Sequence, residues 1–326
     1  MRTVTKSTFV VAALCLALPA AGAEVRVDPA VPEYEPVPGI SGNLVGVGSD
    51  TLNNMMDMWL EAFRNVYPNV TGAYRGEGSS TAPPALMEGT SQLGPMSRQM
   101  KDSEEDEFER KFGYRPIQIV VALDCLAVFV NKDNPVQAMT LPQVDCIFSS
   151  TRNSGYADIT TWGEASSKLR DNPQWRNLPI SLYGRNSVSG TYGFFKEVAL
   201  FKGDFKDTVK EQPGSAAVIN GVASDKGGVG YSGIGYATAD VRALRLARDG
   251  KARPAEPTFE NALKGDYPLG RALYVYANKK PNEPLPPLVA EFIKFVLSRQ
   301  GQEVVFKDGF GPLPPAVVEA ELKKIQ

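Results

Sequence analysis

Four short segments of this sequence carry side chains suited to gripping an anion: Ser49-Asp50-Thr51, Ser79-Ser80-Thr81, Ser97-Arg98 and Ser189-Gly190-Thr191. Each stands where a short apolar run gives way to a helical pattern. Hydroxyl and carboxylate side chains satisfy free helix N–H groups, so capping accounts for any one of these turns taken singly. Taken together they suggest several helix starts aimed at one ligand. Each start offers unpaired N–H donors and the positive end of a dipole. Arg185, six residues before Thr191, adds a guanidinium that can make paired charge-assisted bonds to an oxyanion. The chemistry implied is the holding of a tetrahedral oxyanion.

Composition excludes several other chemistries. The chain has no histidine, which removes Ser-His and Cys-His nucleophile pairs and leaves a poor ligand set for a transition metal. The Gly-Ser turns contain no Ser-x-x-Lys spacing and the chain no Gly-x-Ser-x-Gly elbow. None of the turns has the Gly-Lys-Ser or Gly-Lys-Thr of a P-loop. No cofactor is called for. A net charge of −2 without a basic block argues against nucleic acid as partner. Any anion site must therefore be made locally, by a few groups.

Around these turns the elements alternate. Arg2 and Lys6, the apolar run Phe9 to Leu18 and the small residues Ala21-Gly22-Ala23 read as a cleavable signal peptide over residues 1–23. Its apolar run is too short to span a bilayer, which needs about 20 residues. Cleavage leaves about 300 residues, room for roughly two domains. Residues 24–43, rich in Pro, Val and Glu, read as an extended leader. Leu52, Met55, Met56, Trp59, Leu60, Phe63 and Val66 fall at helical spacing. Strand, polar turn and helix then recur through Val70 to Tyr74, Ile117 to Leu123, Ile180 to Tyr183 and Ala272 to Ala277. The continuous apolar run at Ile117 suits a buried parallel strand. The alternation predicts an α/β fold with mainly parallel sheets. Cys125 and Cys146 are the only cysteines beyond the signal segment. An even pair in an exported chain predicts a disulfide, two buried thiols being the alternative.

The combination and order of the turns is more specific than any one of them. Gly46-x-Gly48-Ser49-Asp50-Thr51, Gly76-Glu77-Gly78-Ser79-Ser80, Gly94-Pro95-Met96-Ser97-Arg98 and Arg185-Asn186-Ser187-Val188-Ser189-Gly190-Thr191 resemble the phosphate-binding proteins of ABC-type phosphate transporters. Gly228-Val229-Gly230-Tyr231 looks like that family's later Gly-Tyr segment. The resemblance implies two doubly wound α/β domains joined by two hinge crossings, with the ligand cleft between them (a class II periplasmic-binding-protein architecture). The crossings would fall near Ala122 to Leu126 and Gly270 to Tyr274. Residues 44–123 and 273–326 would form the first domain and residues 124–272 the second. It further implies a monomer in the periplasm that captures inorganic phosphate and hands it to an inner-membrane ABC permease, without being an enzyme. Thr51 and Ser79 would bind from the first domain, and Arg185, Ser189, Gly190 and Thr191 from the second.

One position departs from the family pattern. Its third turn usually supplies an Asp that accepts the proton of bound hydrogen phosphate, and this chain has Ser97-Arg98 there. Asp50, inside the first turn, is the expected replacement, with Ser49, Ser97 and Arg98 completing the shell. A helix N-cap is the other role open to Asp50. Because sulfate lacks that proton, binding of sulfate or molybdate on the same scaffold is the nearest alternative function. A periplasmic hydrolase with a Ser-Lys pair is the alternative from a different class.

Overall fold

The computed structural model describes residues 26–325; the signal segment expected over 1–23 lies outside them. The chain runs β1 (Gly42–Gly48), α1 (Asn53–Val66), β2 (Val70–Gly76), α2 (Ala82–Glu88), β3 (Gly94–Met96), α3 (Asp102–Phe112) and β4 (Ile117–Asn131). It continues through β5 (Ala138–Thr140), α4 (Leu141–Phe148), α5 (Trp162–Ala165), β6 (Ser181–Arg185), α6 (Gly190–Val198), β7 (Lys210–Gln212), α7 (Ser215–Ser224) and β8 (Gly228–Gly233). It closes with β9 (Val241–Ala243), β10 (Arg245–Ala247), α8 (Phe259–Lys264), β11 (Gly270–Ala277), α9 (Pro287–Leu297), α10 (Arg299–Lys307) and α11 (Pro315–Lys324).

Two large apolar cores organise most of these elements among the described residues. In the first, Trp59 and Phe63 of α1 meet Phe292 and Val296 of α9 and Ile119 and Val121 of β4. In the second, Phe148, Trp162, Phe195 and Tyr231 pack around Leu126, Val128 and Val130, also of β4. A single 15-residue strand therefore serves both cores, and the elements on each are called here the first and second lobes. Its first half pairs antiparallel with β11, Ala277 opposite Ile117 and Gly270 opposite Cys125. Its second half pairs antiparallel with β8 and β9. The strand expected at Ile117 to Leu123 is thus part of a longer, antiparallel one. Parallel pairing holds for β1 with β2, β6 with β7 and β8, and β5 with β10. Apolarity reports burial on both faces, and both strand directions permit that, so the sequence pattern could not distinguish them.

Two more expectations need correction. The leader is packed, not merely extended: Val31 is wholly buried in the first core, and the Arg299 guanidinium holds Val31 O at 3.2 Å and Glu33 at 2.8 Å. Cys125 and Cys146 are free buried thiols rather than a disulfide. Cys125 packs in the second core, while Cys146 Sγ lies 3.8 Å from Ser154 Oγ. Burial pushes both thiols up, most strongly Cys125. An even count says nothing of whether two Cβ vectors meet, and that geometry decides bridging. Among the described residues no helix is long and apolar enough to cross a membrane.

Candidate functional site

The first lobe brings three turns to one point. At the end of β1, Gly48 approaches Pro95 so closely that a Cβ there would lie 2.1 Å from the Pro95 carbonyl oxygen. The next amide, Ser49 N, donates to that carbonyl at 2.8 Å, which pins the first turn to the third. Gly78, at φ +111°, donates its N–H to Gly48 O at 2.7 Å and brings in the second. Backbone this tight, at a positive φ, is open to glycine at little cost. The three serine hydroxyls then meet: Ser49 Oγ donates to Ser97 Oγ at 3.0 Å, and Ser79 Oγ lies 3.3 Å from Ser97 Oγ. Ser97 N also donates to Ser79 Oγ at 3.0 Å. None of the three is exposed.

The second lobe faces them with the start of α6. Ser189 caps it, accepting from Thr191 N at 3.2 Å and Tyr192 N at 3.4 Å. A Cβ on Gly190 would fall 2.2 Å from Ser79 Oγ and 2.5 Å from Ser97 Oγ, so the helix start sits directly on the serine cluster. The hydroxyls of Thr51 and Thr191 share a hydrogen bond of 3.0 Å, and Ser80 N donates to Val188 O at 3.1 Å. The lobes are closed on each other.

Arg185 ends β6 and is 2 % exposed. Its Nε donates to Gln212 O at 3.2 Å, Nη2 to Pro213 O at 3.3 Å and Nη1 to Ser215 Oγ at 3.4 Å, which fixes the plane of the guanidinium. Nη2 also lies 2.6 Å from Asp50 Oδ1. That contact joins charges across the two lobes without hydrogen-bond alignment, and neither Asp50 oxygen accepts an aligned bond. Asp50 thus sits beside Arg185. Capping of the first turn falls instead to Ser49, whose Oγ accepts from Thr51 N at 3.2 Å.

Of the residues singled out from sequence, Ser49, Asp50, Thr51, Ser79, Ser97, Arg185, Ser189, Gly190 and Thr191 converge. Arg98 does not join them as expected. Its guanidinium is gripped by both oxygens of Glu104 at 2.7 Å and donates to Ser80 Oγ at 2.9 Å, behind the turn. The sequence pattern did not reveal that Glu104, six residues on and the third residue of α3, would reach back to it.

Four residues at the site escaped sequence reasoning. Arg271 of β11 donates from Nε at 2.9 Å and Nη2 at 2.7 Å to Asp124 Oδ2 of β4. The same guanidinium donates to Ser97 O at 2.9 Å and Thr191 Oγ1 at 3.0 Å. A signal existed, since this Asp and this Arg are the charged residues within the two segments expected to cross between domains. Tyr74 donates its hydroxyl to Ser49 O, and Tyr236 to Thr51 O at 3.0 Å. Burial, then the carboxylates of Asp308, Asp50 and Asp124, push the Tyr236 phenol up, so it stays a neutral donor.

A model of the PBP superfamily domain matches residues 34–300. The chain is 55 % identical over 307 residues to the phosphate-binding protein PstS of Pseudomonas aeruginosa, covering 94 % of each. The chain belongs to the phosphate-binding proteins of the PBP superfamily. A Clostridium perfringens protein described as a phosphate ABC transporter substrate-binding protein, solved with bound phosphate, shares the fold. It aligns at a TM-score of 0.70 and 26 % identity, over 84 % of this chain and all of that one. An ABC-type phosphate transport receptor of Vibrio cholerae shares the fold at a TM-score of 0.65 and 22 % identity, over 83 % of this chain and 100 % of its own.

Proposed function

We propose that this member of the phosphate-binding family captures inorganic phosphate between its two lobes and delivers it to an ABC-type permease of the inner membrane. The observation that carries the reading is the seating of the α6 start on the Ser49, Ser79 and Ser97 hydroxyls, with Arg185 beside it. That arrangement offers oriented neutral donors on one side and fixed positive charge on the other. It suits a small tetrahedral oxyanion and leaves no room at Gly190 for a side chain. In this reading Ser49, Thr51, Ser79 and Ser97 bind from the first lobe and Arg185, Ser189, Gly190 and Thr191 from the second. Asp50 balances Arg185, and Arg98 acts only by bracing Ser80. Residues 44–123 with 273–326 and residues 124–272 are the units that move against each other, about β4 and β11. The reading as a binder and not an enzyme is supported by the chain's kinship to proteins named as phosphate-binding.

The positively charged, then apolar start of the chain supports export to the periplasm, where the protein works as a monomer and loses residues 1–23. The test is titration of ligand-stripped protein with phosphate, arsenate and sulfate by calorimetry. Tight binding of phosphate and arsenate with weak binding of sulfate is expected. A preference for sulfate would move the protein to the other oxyanions. Binding at 100 times the dissociation constant should raise folding stability by about 2.7 kcal/mol.

A further inference from the structure

We propose that Asp124 is the acceptor for the proton of bound hydrogen phosphate, held ready by Arg271, and so the residue that selects phosphate over sulfate. The inference rests on the reading of the site as a phosphate site and goes beyond it.

The third turn, where the family pattern places an acceptor carboxylate, here holds Ser97, whose hydroxyl is engaged by Ser49 and Ser79. Two carboxylates remain at the site. Asp50 lies 2.6 Å from the Arg185 guanidinium across the lobes, which suits it to balance that charge. Both Asp50 oxygens lack an aligned bond, but Oδ1 is already in charge contact with Arg185, whereas Asp124 is held by a different, one-sided grip. Both donations from Arg271, from Nε and from Nη2, land on the same oxygen, Oδ2. A guanidinium usually grips a carboxylate fork to fork, one donor to each oxygen. The one-sided grip here leaves Oδ1 wholly buried with no partner, on a residue only 1 % exposed. Buried polar atoms are almost always hydrogen-bonded, and an orphan calls for an explanation. A ligand hydroxyl supplies one.

Its place fits. Nη2 of Arg271 bonds both Asp124 Oδ2 and Thr191 Oγ1, and Nη1 bonds Ser97 O. The carboxylate is thus one guanidinium away from the hydroxyl and helix-start walls of both lobes. Gly233 faces the free oxygen, and a Cβ there would lie 3.0 Å from Oδ1, so the glycine keeps a side chain out of its way. The remaining titratable neighbours are Tyr236, Tyr267 and Cys125, all neutral donors held up by burial first and by the Asp124 charge among other causes. A carboxylate oxygen in that setting accepts from P–O–H and repels an oxyanion that has no proton to offer.

The experiment is competitive calorimetry of phosphate and sulfate, at one pH and ionic strength, on wild type, Asp124→Asn and Asp50→Asn. Loss of a hydrogen bond to a charged group predicts that Asp124→Asn lowers the phosphate-to-sulfate affinity ratio about tenfold or more, because an amide no longer repels sulfate. Asp50→Asn should weaken both anions by a similar factor. If the single Asp124 variant does not fold, Asp124→Asn with Arg271→Gln removes both buried charges at nearly constant shape, and the same fall in ratio is expected. Equal losses for phosphate and sulfate on changing Asp124 would show a merely structural role and overturn the assignment. A ratio that collapses in Asp50→Asn instead would overturn it in favour of Asp50. Wild-type protein that binds no phosphate would overturn the functional reading and this assignment with it.

Discussion

The wall made by the first lobe presents neutral hydroxyls from three separate turns, whereas the second lobe presents one guanidinium and one helix start on a single stretch of chain. The first wall depends on convergence. Ser49, Ser79 and Ser97 are up to 48 residues apart and meet only because Gly48 and Gly78 let backbones approach. The second wall depends on local order, since Arg185 to Thr191 is one strand end, one loop and one cap. The contrast separates two jobs. Charge at Arg185 supplies attraction in a chain whose net charge is negative, and the hydroxyls supply geometry and fit.

Arg185→Ala should break this comparison most severely. It removes the charge and strands Asp50, and breaking a buried ion pair costs about 3–5 kcal/mol. Phosphate affinity should fall about 100-fold or more by calorimetry, with a lowered melting temperature. Gly190→Ala should come next, because its new Cβ collides with Ser79 and Ser97 only when the lobes are shut. Overpacking of about 1–3 kcal/mol predicts roughly a 5- to 150-fold loss of affinity. Phosphate-induced compaction in small-angle scattering should shrink while the ligand-free melting temperature holds. Ser79→Ala should cost about 1 kcal/mol, near fivefold in affinity. A loss as large as that of Arg185→Ala would mean the two walls do not divide the work as described. The smallest effect lies away from both walls: reductant should leave the melting temperature unchanged, and the denatured protein without residues 1–23 should titrate two thiols. A bridge between Cys125 and Cys146 would instead be worth about 3 kcal/mol.

Legibility differed between the walls in the same way. Arg185, Ser189, Gly190 and Thr191 lie within seven residues, so their spacing alone marked them as one unit. The first wall was legible only as recurring turns, because composition does not say that three turns share one point. Arg98 shows the limit of proximity in sequence. It adjoins Ser97, yet Glu104 reaches back from α3 and turns its guanidinium away from the ligand groups. Asp124 and Arg271 show the converse, since 147 residues separate them and only the pairing of β4 with β11 joins them.

Sequence alone determined the element with strong periodicity, α1, the strand-to-helix turns, and the type of ligand that hydroxyls and Arg185 suit. These are local properties, set by side-chain period and by the donors a turn exposes. Only the tertiary structure decided strand direction, the fate of the two thiols, the packing of Val31 into the core, and which charged groups face the site. Each of those depends on where distant segments meet, and burial patterns record that a residue is inside without recording its neighbours. The acceptor carboxylate is of that second kind: an Asp in an apolar strand means little until Arg271 is seen to hold one of its oxygens and leave the other free.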